Sequence, residues 1–324
     1  MNKSHSKKDK IDFAVGGQAV IEGVMMRSPN FVATSVRKKN GKIKTKQDPF
    51  QSIIMKYKLL SIPLVRGVVN LVEMMIVGMH SVNFSANEFV DEDEEEKEEE
   101  QKNGLFEMFT FIFSIFLSLA LAVFLFKFVP LAITEFLRTK FVAIENNYIL
   151  FNLIDGTIRI VIFFTYITLL SQLKDFRRVF EYHGAEHKSI YTYEKDLPLT
   201  VENARKQSRF HPRCGTSFII IILLISIAVY TFVPRDPVFL VNFFKRLAVL
   251  PLIAALGYEF LKWSAKNESH FLVRYFVKPG LLTQHITTKE PDDEQLEVAL
   301  AALKATLTLE ESRQKEKVLI TKPV

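Results

Sequence analysis

The sequence predicts a mainly α-helical protein that crosses a membrane about four times and carries a cytosolic α+β portion with a small N-terminal β hairpin. Three observations predict it. Apolar runs alternate with stretches dense in Lys, Arg, Asp and Glu, in a chain of 324 residues that is 48% hydrophobic and 24% charged; that segregation is the layout of spans joined by aqueous segments. Basic residues crowd one set of loops. Two strand-like segments flank Asn40-Gly41, a hairpin signal.

Residues 1–58 form a basic arm and the hairpin, with 13 Lys and Arg against 4 Asp and Glu. Such an arm attracts anionic lipid first, with ribosomal RNA as a second partner and no other nucleic acid expected. The start MNKSHSKKDK meets no apolar core segment, so no cleavable signal peptide is expected. FVATSVRK and KIKTKQ around Asn40-Gly41 predict a type I′ turn. GGQAVIEGVMMRSP, with Gly16, Gly17 and Gly23, lacks the strand-loop-helix context of a nucleotide loop; its glycines fit tight backbone turns. Glu22 and Arg27 are site residues or, the preferred reading, a structural ion pair.

Residues 59–80 read as an interfacial or re-entrant helix starting after Pro63. Arg66, Asn70 and Glu73 make one narrow polar stripe on it, and a true span would leave the basic arm on the wrong side. Residues 81–104 are a linker whose stretch 91–100 holds nine acids in ten positions.

Within 105–173, residues 108–126 are uncharged and form the first span. Residues 150–173 form the second if Asp155 and Arg159, one turn apart, are accommodated as a snorkelling ion pair near its outer end. Within 216–263 lie spans at 216–233 and 246–263. The loop 174–215 carries nine Lys and Arg, whereas 127–149 and 234–246 carry three each; this places the loop and both termini in the cytosol of a cell inner membrane. The lone Cys214 excludes an internal disulfide and suits a reducing compartment. In 264–324, Pro279-Gly280 breaks the chain and Pro291 sits in the first turn of a helix to about residue 308. Leu296, Leu300, Leu303 and Leu307 give that helix an apolar face for the cytosolic body or a partner.

The chemistry-bearing residues lie in 174–215. In KDFRRVFEYHGAEHKSIYTYEK, steps of three and four from Phe176 to Ile190 predict a helix with His183 and His187 on one stripe. Imidazoles four apart can share a metal ion, and Glu186 between them can act as general base on a water at that metal. The order His-x-x-Glu-His is the inverted zinc-peptidase pattern. His211 and Cys214 in RFHPRCGTSF have the spacing of a metal knuckle. Together the four make a nitrogen and sulfur set suited to zinc or another divalent transition metal. The alternatives are a pair of packed, hydrogen-bonded histidines without metal and a Cys214 that is only a small buried residue. Four protein ligands give a closed structural site and three a catalytic one, for which Glu259 and Glu268 are further ligand candidates, though the preferred reading of each is an interfacial charge partner.

GGQAVIEGVMMRSP, EYHGAEHK, HPRCGTSF and TTKEPDD, in this order between about residues 13 and 305, resemble the bacterial YqhQ-like family of multi-pass membrane proteins. That family is a domain of unknown function whose members are labelled predicted metal-dependent enzymes. The resemblance implies a metal at His183, His187, His211 and Cys214. Leu282, in PGLLTQ at 279–284, stands where such proteins commonly carry Trp. The reading so far is a zinc-dependent hydrolase at the inner membrane surface. Its alternative is a non-catalytic scaffold or membrane-protein insertion factor in which zinc is structural, with other membrane proteins or the insertion machinery as partners.

Overall fold

The computed structural model describes residues 15–89, 104–267 and 270–321. The first residues of the basic arm, the acidic stretch 91–100 and Glu268 lie outside the described residues. The N-terminal hairpin is part of a larger antiparallel meander: β1 (Gly16–Val20), β2 (Gly23–Arg27), β3 (Phe31–Arg37) and β4 (Ile43–Pro49), paired in sequence order. The turn at Asn40-Gly41 is not type I′. Arg37 pairs with Ile43, the Gly41 N–H donates to the Lys38 carbonyl at 2.9 Å and the Lys38 N–H to that of Lys42 at 2.9 Å. Gly41, at φ 80°, is left-handed and Asn40 is not, whereas type I′ needs both central residues there. The loop is three residues closed by a glycine bulge.

Glu22, in the β1–β2 turn, has φ 49°, a costly conformation for a residue with a Cβ. Its carboxylate is held by Arg178, with Nη2 to Oε2 at 2.7 Å, and by the Tyr182 hydroxyl at 3.2 Å. The expected Glu22–Arg27 pair is therefore absent: the turn points Glu22 at a later helix, and Arg27, at the far end of β2, faces elsewhere.

The helices relevant to the site are α1 (Val65–Phe89), α2 (Gly104–Val123), α3 (Val129–Lys140), α4 (Tyr148–Leu170), α5 (Lys174–Glu194), α6 (Gly215–Tyr230), α7 (Phe239–Ala248), α8 (Leu250–Lys266), α9 (Phe271–Thr287) and α10 (Asp293–Thr321). One face of the sheet is covered by α5 and α10. Val24 and Met26 pack there with Tyr182, Ala185, Leu296 and Leu303, all fully buried, each such side chain worth roughly 1.5–3 kcal/mol in removal from water. The apolar face of α10 is thus occupied by the chain's own body. Asp292 and Gln295 start it with a reciprocal cap: the Gln295 N–H donates to the Asp292 carboxylate at 2.8 Å, and the Asp292 N–H to the Gln295 side chain at 3.0 Å. Pro291 precedes that cap rather than lying in the first turn. The helix also outruns residue 308, because buried Glu310 accepts from the Ser28 hydroxyl at 2.7 Å and the Asn30 N–H at 2.8 Å.

The other face of the sheet meets the second half of α1. The Thr34 hydroxyl donates to Ser81 at 3.1 Å, the Ile21 N–H donates to Ser85 at 3.2 Å, and Gly78 lies on the Gln18 side chain. The first half meets α8, where Gly67 abuts Ala255 and Tyr258. The polar stripe is accounted for residue by residue: Arg66 donates to Glu259 at 2.7 Å through Nε, Asn70 to the Tyr258 hydroxyl at 3.0 Å, and Glu73 accepts from Ser52 at 2.8 Å. Glu259 is an ion-pair partner.

Among the described residues, four segments are long and apolar enough to cross a membrane: Val65–Phe89, Ile112–Lys140, Tyr148–Leu170 and Phe239–Ser264. Helix α6, read from sequence as the third span, has 16 residues. At 1.5 Å per residue that is about 24 Å, short of a hydrocarbon core of about 30 Å. Asp155 and Arg159 are paired at 2.5 Å but do not snorkel. Both are buried, and Arg246 joins the same Asp155 oxygen at 2.8 Å while Arg159 also donates to Ser226 at 2.8 Å. A π-helical turn at Phe124–Phe128 presents the Phe126 carbonyl to Arg159 Nε at 3.1 Å. Nor does Pro279-Gly280 break the chain: α9 runs through it. Close packing of Gly280 on Ser217, where a Cβ would stand 2.5 Å from the serine Cβ, offsets the hydrogen bond that Pro279 cannot make.

Candidate metal centre

Helix α5 becomes buried in its second half, where Gly184, Ala185, Glu186 and His187 lie under other elements. Gly184 is required there. A Cβ on it would sit 2.1 Å from the Lys289 carbonyl oxygen, because the segment after α9 crosses α5 at this point and the Lys289 N–H donates to the Phe180 carbonyl at 2.8 Å. The crossing brings the Thr287 carbonyl to 2.8 Å from His183 Nδ1. On the next turn, His187 Nδ1 lies 2.5 Å from the Arg209 carbonyl. A carbonyl only accepts, so both rings carry a proton on Nδ1, and in the neutral form of each ring Nε2 is the bare nitrogen. That is how protein structures orient metal-ligating histidines.

The two Nε2 atoms face Cys214. His183 Nε2 is 3.1 Å from its Sγ, the two imidazole centroids are 4.4 Å apart, and the three ligand atoms lie within 4.8 Å of one another. A tetrahedral zinc ion would hold such atoms roughly 3.3–3.6 Å apart, so closure needs side-chain movements of about an ångström. His187 Nε2 is buried without a hydrogen-bond partner, the kind of orphan that a bound cation resolves. Burial, opposed by the neighbouring Cys214 thiol, pushes His187 below the usual imidazole range and favours its neutral form. Cys214 is the N-cap of α6, its sulfur accepting from the Thr216 N–H at 3.4 Å.

His211 is placed differently. Its N–H and carbonyl are both bound by the Gln284 amide at 2.8 Å, its Nε2 is 3.2 Å from Glu194, and its Nδ1 accepts from the Arg213 N–H at 3.3 Å. Both ring nitrogens are engaged, and the ring stands 5.6 Å from that of His187. Burial pushes the Glu194 carboxyl up, but hydrogen bonds and charge from His211 and Arg213 outweigh it and hold the group below the usual carboxylate range. The structure thus gathers His183, His187 and Cys214, and directs His211 to a carboxylate beside them.

Glu186 is 5% exposed and packs against Gly17, where a Cβ would meet its Cγ at 2.8 Å. Burial raises its carboxyl pKa, opposed by nearby His183 and His211 and by the Gly17 N–H. Glu186, His187 and Cys214 border a cavity of about 460 Å³ that also reaches Arg27 and Met74.

A family model described as "Protein of unknown function (DUF1385)" matches residues 62–309. The chain belongs to that family. It is 36% identical over 320 residues to "Uncharacterized protein YqhQ" of Bacillus subtilis (strain 168), covering 94% of this chain and 95% of that protein. No solved structure matches the chain. In this DUF1385 chain the sequence motifs meet at one place, and the parts that sequence reasoning missed are the ones that orient the ligands. The Thr287 and Arg209 carbonyls have no side-chain signature. Gln284 and Gly184 could have been suspected from their positions within PGLLTQ and EYHGAEHK.

Proposed function

We propose that the chain is a metal-dependent hydrolase working at a membrane surface, with zinc or another divalent transition metal held by His183, His187 and Cys214. The observation that carries the reading is the buried, unpartnered His187 Nε2, beside a second bare Nε2 and a thiol. Three protein ligands leave a position for water or substrate, and a bound ion supplies positive charge that polarises the bond to be broken. Glu186 takes up a proton from water and returns it to the leaving group. Its raised pKa moves it in the direction that suits a group that must do both. Charge asymmetry favours a cytosolic site with both termini on that side, an arrangement in which α6 crosses despite its 16 residues by local thinning of the bilayer. Engagement of its second half with the sheet favours α1 as an interfacial or re-entrant helix.

The proximity of His211 to His187, 5.6 Å between rings, supports a second reading. Release of His211 from Glu194 would supply a fourth ligand and close the site. The protein would then be a non-catalytic scaffold or insertion factor whose basic arm meets lipid, ribosomal RNA or other membrane proteins.

Metal content and function of two variants separate these. Full-length protein purified in detergent is expected to carry about one zinc per chain by mass spectrometry, lost in His183→Ala. Glu186→Gln is expected to retain zinc yet reproduce the cellular phenotype of a deletion. Retained function in Glu186→Gln favours the structural reading, and absence of stoichiometric metal from the wild type sinks both.

A further inference from the structure

Among the described residues Arg27 forms no ion pair, and burial outweighs the attraction of Glu73 to hold its pKa below the usual guanidinium range. Its guanidinium stacks 4.1 Å above the Phe50 ring, and Nη1 rests 2.8 Å from the Met74 sulfur, a weak acceptor. Nε is buried without any hydrogen-bond partner. The carboxylate whose charge reaches the guanidinium, Glu73, forms no ion pair with it and is hydrogen-bonded instead by Ser52 and the Ile53 N–H at 2.6 Å. Arg213, on the same cavity, contrasts with it, since Glu194 answers its charge at 2.7 Å. A partly buried guanidinium whose Nε makes no hydrogen bond is costly unless an anion completes it, and a guanidinium matches phosphate oxygens in pairs.

The cavity in which Arg27 lies is the one bordered by Glu186, His187 and Cys214. Met74 joins it to a second depression of about 420 Å³ along α1, lined by Leu71, Met75, Met79 and Val82. Met75 is 59% and Met79 39% exposed. A charged anchor therefore stands between the candidate metal centre and an open, flexible apolar track on a helix of the membrane-associated part. Methionine-rich surfaces adapt to chains of varied shape.

We propose that the substrate is a phosphate-bearing lipid, its phosphate gripped by Arg27 and its acyl portion laid along Met74, Met75 and Met79. This names the substrate class of the proposed hydrolase and rests on that reading only for the step after binding. Charge complementarity decides for a lipid phosphate, because a neutral acyl chain on the track would leave the guanidinium unanswered.

The test is calorimetric titration of full-length protein in dodecyl maltoside with dioctanoyl phosphatidic acid, dioctanoylglycerol and inorganic phosphate, using metal-loaded and chelator-treated samples. The expected result is binding of the phosphatidic acid, at least tenfold weaker binding of inorganic phosphate, and none of dioctanoylglycerol. Arg27→Gln is expected to weaken phosphatidic acid binding at least tenfold with zinc content unchanged. Arg27→Lys, which keeps the charge and safeguards folding, recovers only part of it. Equal binding by wild type and both variants, or equal binding of phosphatidic acid and dioctanoylglycerol, overturns the proposal. Inorganic phosphate binding as tightly as the lipid overturns its lipid half. If the protein never carries metal but Arg27 still governs binding, the hydrolase reading fails and this site stands; zinc bound with Arg27 irrelevant gives the reverse.

Discussion

His183 Nε2 and Cys214 Sγ stand 3.1 Å apart although 31 positions separate them. A neutral imidazole and a thiol can share one proton at that distance, which alone would explain the contact. The adjacent His187 Nε2 lies beside the same thiol without a well-formed hydrogen bond, and one thiol proton cannot serve both rings. A cation shared by the three atoms is the arrangement proposed above.

Proposed ligands and their neighbours separate on substitution. Cys214→Ser and His187→Ala are expected to reduce zinc per chain from about one to background, measured by inductively coupled plasma mass spectrometry after dialysis against weak chelator. His211→Ala is expected to retain at least half, since its ring nitrogens bind Glu194 and Arg213. Complete loss in His211→Ala would point to a closed four-ligand site.

Gly184→Ala probes the segment that orients His183. The new methyl would sit 2.1 Å from the Lys289 carbonyl, backbone that cannot rotate away, so a loss of roughly 1–3 kcal/mol is expected. Displacing the crossing segment also withdraws the Thr287 carbonyl from His183 Nδ1. Loss of such an outer contact lowers metal affinity by roughly 10–100-fold. Competition with a chromophoric chelator reads this directly, and unchanged affinity would show that the Thr287 contact does not matter.

The architecture was legible where one physical signal dominated. Nineteen uncharged residues at 108–126 admit little besides a membrane helix, and Leu296, Leu300 and Leu303 mark the buried face of α10. Where two signals compete, sequence reading ran short. Asn40-Gly41 matches both a two-residue turn and a bulged three-residue loop, and strand register chose the latter. Pro279-Gly280 reads as a break until Ser217 is known to pack on Gly280. In the site, His183, His187 and Cys214 were visible as residue types at suitable spacing. The partner of Glu22 was not, because Arg178 lies 156 positions away while Arg27 lies close in sequence and points elsewhere.

Asp155 is expected to be the most sensitive position in the membrane part. One of its oxygens answers both Arg159 at 2.5 Å and Arg246 at 2.8 Å, with Arg159 at 2% exposure. Asp155→Ala would leave two buried guanidinium groups without their anion, a change that costs about 3–5 kcal/mol. Thermal unfolding in detergent should show a large downward shift or failure to accumulate folded protein. An Asp155→Ala protein as stable as wild type would mean that solvent or lipid phosphate reaches the arginines.

Glu186 gives a prediction whose sign follows from burial. Its folded-state pKa is raised above the ordinary value of 4.5, so the native state binds this proton more tightly than the unfolded chain. The associated stability is complete below pH 4.5 and is lost as pH rises through the folded value. In chelator-treated protein, where no cation masks the effect, Glu186→Gln should therefore gain thermal stability relative to wild type as pH rises from 5 toward 8. At the acid end, where wild-type Glu186 is already neutral, the two should converge. A group retained at a cost to stability is expected of a catalytic acid or base. A variant whose unfolding temperature runs parallel to wild type at every pH would place an ionised, compensated Glu186 in the native protein and remove the argument for its role in proton transfer.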